Sequence, residues 1–199
     1  MPEDGLLQSA RSRAREVGVG CVDPTTGSIL RLLAAACGAR TVVELGTGAG
    51  ISALWLLRGM HPEGVLTSVD PDAEHQRLAR QSLREAGFGS GRVRLIGGRA
   101  LEVLPRLSDG AYDLVFCDAV ATEASDYLAA ALRLLRPGGL VVVAGALGTG
   151  RVADPGARDA ETVALRELAK TVREEPRLAP AFVPVGSGLL AAVLNDSPS

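Results

Sequence analysis

The chain has 199 residues, of which 47% are hydrophobic, and it carries a formal net charge of −2. This length and apolar content predict one globular domain with a sizeable core, and the near-neutral charge argues against a surface built mainly for nucleic acid. The three cysteines, Cys21, Cys37 and Cys117, form no CxxC pair, so we expect reduced structural thiols rather than a disulfide framework or a zinc site.

The N-terminal part of the chain predicts two helices, at about residues 6–17 and 26–36, from the spacing of their apolar residues. Arg11, Arg13 and Arg15 make a small basic cluster, which we interpret as a solvated helix face; a nucleic-acid contact is the alternative. No apolar run reaches the roughly 18 residues that a membrane span needs, and the first residues lack the features of a signal peptide. We therefore expect a cytoplasmic protein that makes no membrane contact.

Residues 41–50 join a short β-branched strand to a glycine turn, and a helix is predicted to follow at 51–58. Such a turn lets the backbone approach a ligand while the N-terminus of the helix faces it. Ile51 stands where a dinucleotide motif needs its third glycine, and Glu44 would repel a pyrophosphate. A cationic nucleotide fits better, because Glu44 can hold the sulfonium and ammonium groups of S-adenosylmethionine directly or through water. The alternative is a tight turn with no ligand.

Short β-branched runs then alternate with helical spacing, which is typical of a doubly wound parallel sheet. We predict strands at 65–70, 93–96, 114–118 and 140–144. We predict helices at 73–86, 101–107, 125–135 and 160–174, the third of them ended by the Pro-Gly-Gly sequence at 137–139. Strand-like residues lie at 181–185 and 189–194. Because the carboxyl ends of parallel strands meet at one edge of a sheet, the loops after the first four strands should line one pocket.

Two of these loops carry further predicted contacts with the nucleotide. Asp70 ends the second strand about 20 residues after the glycine turn, where a carboxylate accepts hydrogen bonds from ribose hydroxyls. The role of capping the next helix is assigned to Asp72 instead. After the third strand, Gly98, Arg99 and Ala100 are expected near the adenine, with a simple turn as the alternative.

Several motifs together resemble a known family. The similarity to catechol and caffeoyl-CoA type O-methyltransferases lies in Glu-Leu-Gly-Thr-Gly-Ala-Gly-Ile-Ser at 44–52, Tyr-Asp-Leu-Val-Phe-Cys-Asp at 112–118, Leu-Leu-Arg-Pro-Gly-Gly at 134–139 and the tail segments 151–155 and 184–189. The resemblance covers about residues 22–193. It implies an α/β, Rossmann-like, doubly wound seven-stranded sheet with an antiparallel last strand and N-terminal helices. It also implies a homodimer and a small-molecule hydroxyl acceptor.

The resemblance further implies a set of contacts with S-adenosylmethionine. They are Val22, Glu44, Gly46, Thr47, Ser52, Asp70, Ala100 and Asp118. The glycine turn adds Gly48 to these expected contacts, and the loop after the third strand adds Gly98 and Arg99. We divide residues 1–199, as a single methyltransferase domain, into an N-terminal helical lid region (1–38), a Rossmann-like core (39–194) and a tail (195–199).

The divalent-metal site of this family is mostly absent from the sequence. Members usually carry Asp-Ala-Asp-Lys after the fourth strand and Asp-Asn after the fifth, whereas this chain has Asp118-Ala119-Val120-Ala121 and Ala144-Gly145. Magnesium needs close to octahedral oxygen coordination, so Asp118 alone should bind it weakly, and we predict no metal ligands. We interpret the neighbouring acids as surface or capping carboxylates rather than substitute ligands; they are Glu123, Asp126, Asp154 and Asp159.

Two classes of function fit these residues. The first is an enzyme that methylates a hydroxyl of a small molecule, or of a modified RNA base, with Asp118 as the catalytic residue that orients the acceptor or takes its proton. The second is an S-adenosylmethionine-binding sensor or interaction protein with little catalysis. We predict the enzyme. His61 and His75 are expected to be solvated rather than catalytic. Tyr127 is expected to be a packed helix residue, with a place in the lining of the pocket as the alternative.

Overall fold

In the computed structural model, which describes residues 2–196, seven strands form one sheet. They are β1 (Thr41–Leu45), β2 (Val65–Asp70), β3 (Val93–Gly97), β4 (Tyr112–Cys117), β5 (Leu135–Ala144), β6 (Leu178–Val183) and β7 (Leu189–Leu194). The strand order is β3-β2-β1-β4-β5-β7-β6, and β7 runs antiparallel to β5 and β6. The predicted fold class is confirmed. Met1 and residues 197–199 of the predicted tail lie outside the described residues.

Helices cover both faces of the sheet. They are α1 (Gly5–Glu16), α2 (Pro24–Ala36), α3 (Ile51–Gly59), α4 (Ala73–Glu85), α5 (Ala100–Val103), α6 (Ala124–Leu134) and α7 (Ala160–Glu174). The side chains of Asp4, Asp23, Asp72 and Asp159 accept hydrogen bonds from backbone N–H groups in the first turns of α1, α2, α4 and α7. These caps satisfy otherwise unpaired donors and explain why the four helices begin where they do.

The alternation of side chains along the central strands divides the core in two. Val42 and Phe116 pack with α1 to α4, whereas Val43 and Val115 pack with α5 to α7. Both faces of β1 and β4 are therefore buried, as expected for the centre of a doubly wound sheet. The carboxyl ends of these strands are left free to carry the loops that form the site.

The predicted bounds are wrong in three places. β5 begins at Leu135, which pairs with Tyr112, and the Pro-Gly-Gly sequence lies inside the strand as an irregular stretch where the register shifts, rather than as the turn that ends a helix. The helix predicted at 101–107 is split into α5 and a 3-10 turn at Leu104–Arg106, because Pro105 cannot donate a backbone hydrogen bond. β6 starts three residues earlier than expected.

The basic cluster on α1 is mostly not a solvated face. Arg11 forms an ion pair with Glu3 at 2.6 Å, and Arg13 forms one with Glu85 of α4 at 2.8 Å. The side chains of Arg11 and Arg13 are only 13% and 19% exposed, while Arg15 stays at the surface. The interpretation of a solvated face is thus wrong for two of the three arginines. No helix within residues 2–196 is long and apolar enough to cross a membrane.

Candidate active site

The ends of three strands meet at the glycine turn between β1 and α3. The N–H of Asp118, after β4, donates to the Leu45 carbonyl at 2.8 Å, and the N–H of Gly46 donates to the Val69 carbonyl at 2.9 Å. Gly46 has a φ of 91°, and a Cβ at this position would lie 2.0 Å from the Asp118 carbonyl oxygen. Glycine therefore allows the turn and the loop after β4 to touch, and the predicted meeting of these loops is observed.

A first cavity, of about 240 Å³, lies between the glycine turn and the segment that follows α1. Its lining on the turn includes Gly46, Thr47, Gly48 and Ser52, all four of them predicted ligand contacts. Residues 18–21 close the opposite side. Because the backbone of the turn is exposed to this cavity, the cavity has the form expected for the part of a ligand that approaches the main chain closely.

Glu44 does not lie on the surface of this cavity but below it. It is fully buried, and its Oε2 accepts a hydrogen bond from the Ser68 hydroxyl at 2.5 Å, which in turn lies 2.6 Å from the Thr47 hydroxyl. Its Oε1 has no hydrogen-bond partner among residues 2–196. Burial raises the pKa of Glu44 to about 7, partly opposed by the nearby hydroxyls of Ser52 and Ser68, of which Ser68 makes the hydrogen bond. The Oε1 atom of Glu44 is thus a buried acceptor without a hydrogen-bond donor.

Asp70 is held by several donors at the edge of the same cavity. Its carboxylate accepts from the N–H of Gly48 at 3.0 Å and from the N–H of Asp72 at 2.9 Å. His75 Nδ1 lies 3.2 Å from both Asp70 carboxylate oxygens. Asp72 accepts from two N–H groups of α4, so its predicted role as the helix cap is confirmed.

His75 is a site residue that the sequence reasoning placed in solvent. It lines the first cavity together with Asp70, and it also lines a second, larger one. The available signal was its position in the first turn of a helix that begins directly after a strand end, because such turns face the ligand crevice. The polar composition of that turn obscured this signal.

The second cavity, of about 680 Å³, extends from Asp70 over the loop after β3 to the loop after β4. Its lining is largely apolar, with Val69, Pro71, Ala100, Ala119, Val120 and Tyr127. Arg99 crosses to the loop after β4 and donates to Glu123 at 2.7 Å, and Glu123 also accepts from the Tyr127 hydroxyl at 2.5 Å. Gly98 has a φ of 151° in the turn that precedes these residues.

Asp118 joins the two cavities to a further pair on the other side of β4. One of these, of about 490 Å³, reaches Val22, Thr26, Ala144 and Ser187, and the other, of about 240 Å³, reaches Gly145, Arg151 and Leu165. Val22, implied as a contact of the methyl donor, therefore lies toward this second pair. Burial raises the pKa of Asp118 above its ordinary value.

The surroundings of Asp118 offer few ligands to a metal ion. Val120, Ala121, Ala144 and Gly145 have no side-chain oxygen, so the donor set does not fit magnesium. Of the alternative acids, Glu123 pairs with Arg99, Asp159 caps α7 and pairs with Arg151, Asp154 accepts from the N–H of Gly156, and Asp126 is exposed. Across residues 2–196, no group of three or more His, Cys, Asp or Glu side chains is arranged to hold a metal ion.

Known proteins share this sequence and this fold. A family model described as O-methyltransferase matches residues 8–194. A candidate O-methyltransferase of Mycobacterium tuberculosis is 56% identical over 191 residues, which cover 96% of this chain and 85% of the relative. An O-methyltransferase from Bacillus cereus, solved in complex with S-adenosylhomocysteine, has a TM-score of 0.90 at 28% identity, covering 98% of this chain and 93% of that one. The O-methyltransferase TomG from Streptomyces achromogenes, involved in tomaymycin synthesis and solved with S-adenosylmethionine, has a TM-score of 0.89 at 31% identity, covering 98% and 91%.

Proposed function

The chain belongs to the O-methyltransferase family, and we propose that it transfers a methyl group from S-adenosylmethionine to a hydroxyl of a small molecule without a tightly bound metal ion. The observation that carries the proposal is the position of Asp118, which lines both the cavities beside the glycine turn and the cavities toward β5. A methyl donor bound on one side and a hydroxyl acceptor bound on the other would meet at this residue.

The residues beside the glycine turn suit S-adenosylmethionine. The unpartnered Oε1 of Glu44 lies in the layer behind Thr47 and Ser52, where an ammonium group or a water bound to it would satisfy a buried acceptor. Asp70, with His75 beside it, would receive the ribose hydroxyls, and the apolar lining near Ala100 would receive the adenine. When bound, the cofactor supplies a methyl group on a positively charged sulfur.

The chain's own contribution to the transfer would be alignment and proton handling. Displacement at a methyl group depends strongly on how the acceptor oxygen is placed, and the walls formed by Val22, Ala144 and Ser187 would place it beside Asp118. Because burial raises the pKa of Asp118, this carboxylate is a better base than a solvated aspartate and can accept the hydroxyl proton. The loop after β4 carries neither a lysine nor a further metal ligand to assist Asp118.

The remaining parts of the proposal concern the assembly and location of the protein. Residues 1–38 would act as a lid region over the core at 39–194, supported by the way residues 18–21 close the first cavity. A homodimer in the cytoplasm is proposed on the family resemblance. The apolar residues of α2 give little support for a dimer. Leu30 is buried in the chain's own core, and only Leu32, 60% exposed, points outward.

Calorimetry combined with an acceptor screen tests the proposal. The protein should bind S-adenosylmethionine and S-adenosylhomocysteine but not NAD, and it should methylate at least one member of a panel of catechols, flavonoids and hydroxylated nucleosides. Binding of NAD with no binding of the two methionine derivatives would contradict the cofactor assignment. Tight cofactor binding with no transfer to any acceptor would favour the sensor alternative, which the missing lysine and metal ligands already motivate.

A further inference from the structure

The segment between α1 and α2 forms a wall shared by the two sides of the site. Gly18, Val19, Gly20 and Cys21 line the cavity beside the glycine turn. Gly20, Cys21 and Val22 also line the cavity that reaches Ala144 and Ser187. The position of residues 20–22 therefore decides how open both cavities are.

Val22 packs in the apolar core, with Val19 and Cys21 against it, and the hydrogen bonds to residues 20–22 come from one side chain. Arg11 of α1 donates from Nη2 to the Val22 carbonyl at 2.8 Å and from Nη1 to the Cys21 sulfur at 3.0 Å. Within the described part of the chain, these are the hydrogen bonds made to residues 20–22. The two glycines nearby leave the backbone with little stiffness of its own.

Arg11 is in turn fixed from the opposite side. Glu3 receives hydrogen bonds from Arg11 Nε at 2.9 Å and from Nη2 at 2.6 Å, and the two side chains are 7% and 13% exposed. A planar guanidinium can make this paired contact and still present donors to the segment at 20–22, whereas an ammonium group cannot reach all three partners together. The pair is too well buried to be an ordinary surface ion pair.

We propose that Arg11 is a positioning residue that clasps residues 20–22 closed over both cavities, and that Glu3 serves to orient it. The inference rests on the proposed function in one respect, namely that the cavity beside the glycine turn holds the nucleotide. Release of the clasp would let residues 20–22 swing away, so bound nucleotide would leave faster and the acceptor would be held less well.

The chain provides a matched control on the same helix. Arg13 also ties α1 to the core, through Glu85 at 2.8 Å and Ser82 at 3.1 Å, but it makes no hydrogen bond to residues 20–22. A variant at Arg13 therefore reports the effect of loosening α1 alone.

The experiment compares Glu3→Gln with the double variant Glu3→Gln/Arg11→Gln, with Arg13→Gln as the control. The double variant leaves no unpaired buried charge, so loss of folding is not expected. Two rates are measured on the full chain: alkylation of Cys21 by N-ethylmaleimide without ligand, located by peptide mass spectrometry, and dissociation of S-adenosylhomocysteine by stopped flow. Burial raises the pKa of the Cys21 thiol and the Arg11 guanidinium lowers it, so the alkylation rate is followed across pH and compared per thiolate. Buried Cys117 is the internal reference for unfolding.

We expect both rates to rise about tenfold in the double variant relative to the wild-type chain, because hydrogen bonds from a charged donor are lost, and to stay within about twofold in Arg13→Gln. Glu3→Gln should lie between the wild type and the double variant, because Arg11 then keeps its donors but loses the ion pair that orients it. Arg11→Lys should give intermediate rates. Cys21 alkylation at the wild-type rate in the double variant would overturn the clasp, and so would equal changes in the double variant and in Arg13→Gln. If the wild-type chain fails to bind S-adenosylhomocysteine, the proposed function fails, while the alkylation rates still decide the clasp.

Discussion

The two sides of the site differ in how they are built. Beside the glycine turn, polar groups are linked in chains: Glu44 to Ser68 and Thr47, and Asp70 to Gly48 and His75. Toward β5, Asp118 faces small residues such as Ala144, and Asp23 and Asp159 in these walls cap helices. Under the proposed function, binding on the first side would be distributed over many groups, whereas proton transfer on the second side would depend on Asp118.

This difference has a consequence for how variants behave. Loss of one group from a linked network weakens binding by a limited amount, because the neighbouring groups remain in place. Among the described residues, Asp118 is the one that lines all four cavities, so its loss removes a whole chemical role. Variants on the two sides test this contrast, and three of them have a matched control position in the chain.

The largest effect is expected for Asp118→Asn, which preserves the size of the side chain and removes its charge. A general base commonly contributes about 10²–10⁴ in rate, so turnover should fall by that factor. The affinity for S-adenosylhomocysteine should change much less, as calorimetry will show. Asp126→Asn, at an exposed position on α6, should leave both quantities unchanged. Equal losses of turnover and cofactor affinity would place Asp118 on the binding side instead.

Asp70→Ala should act on the other side of the site. A charge-assisted hydrogen-bond acceptor is typically worth roughly 1.5–3 kcal/mol, so the affinity for S-adenosylmethionine should fall about ten- to a hundredfold. Asp72→Ala is the control, since Asp72 caps α4 and its loss should lower stability by about 1 kcal/mol with little change in affinity. An unchanged affinity in the Asp70 variant would remove the ribose assignment.

Gly46→Ala should disturb both sides at once, because the added Cβ would meet the Asp118 carbonyl oxygen at 2.0 Å. We expect the free energy of unfolding to fall by about 1–3 kcal/mol, measured by urea denaturation, together with weaker cofactor binding. Gly89→Ala, where an added Cβ meets nothing within 4 Å, should change neither. Wild-type stability in the Gly46 variant would show that the two loops are not tightly joined.

Glu44 should give the smallest effect, seen as a dependence on pH. Burial raises the pKa of Glu44 to about 7, so the free protein holds this group protonated below that pH. A cationic ligand favours the ionised form, so affinity for S-adenosylmethionine should fall as the pH drops from about 7 to 5.5, by at most about tenfold per pH unit. Glu44→Gln should flatten this slope, and an identical slope in the variant would assign the dependence to other groups.

The raised pKa of Glu44 also makes the stability of the free protein depend on pH, in the opposite direction to its effect on ligand affinity. The folded chain binds the proton of Glu44 more tightly than the unfolded chain does, so unfolding releases it. The free energy of unfolding should therefore decrease as the pH rises from the ordinary glutamate range to about 7, and then level off. Chemical denaturation of the wild type and of Glu44→Gln across this range measures that contribution.

The sequence predicted the elements whose signals are local. The β-branched run at Thr41–Leu45 and the glycine turn after it are recognisable from neighbouring residues, and α7 was predicted with its observed bounds. The start of β5 at Leu135 was missed because it depends on pairing with Tyr112, a contact that no local pattern records. Strand pairing can accommodate a Pro-Gly-Gly sequence at a register shift, where a turn would otherwise be expected.

The sequence predicted which loops form the candidate site, but not how deep each side chain lies within it. Which strand ends converge follows from the topology. As that topology predicts, Asp70 and Asp118 line the same two cavities. Whether a side chain lines a cavity or lies beneath it depends on packing, so the sequence could not show that Glu44 lies beneath the first cavity or that His75 lines it. The hold of Arg11 on Cys21 and Val22 depends on how α1 folds back over the site, and sequence spacing cannot show that.

Dependence of methyl transfer on a metal ion most directly tests whether Asp118 acts without one. The decisive experiment is transfer of a labelled methyl group from S-adenosylmethionine to the best acceptor of the screen, with and without a strong chelator. We predict the same rate in both, because Val120, Ala121, Ala144 and Gly145 supply no side-chain oxygen to a metal. Activity that is abolished by the chelator and restored by magnesium would contradict this account.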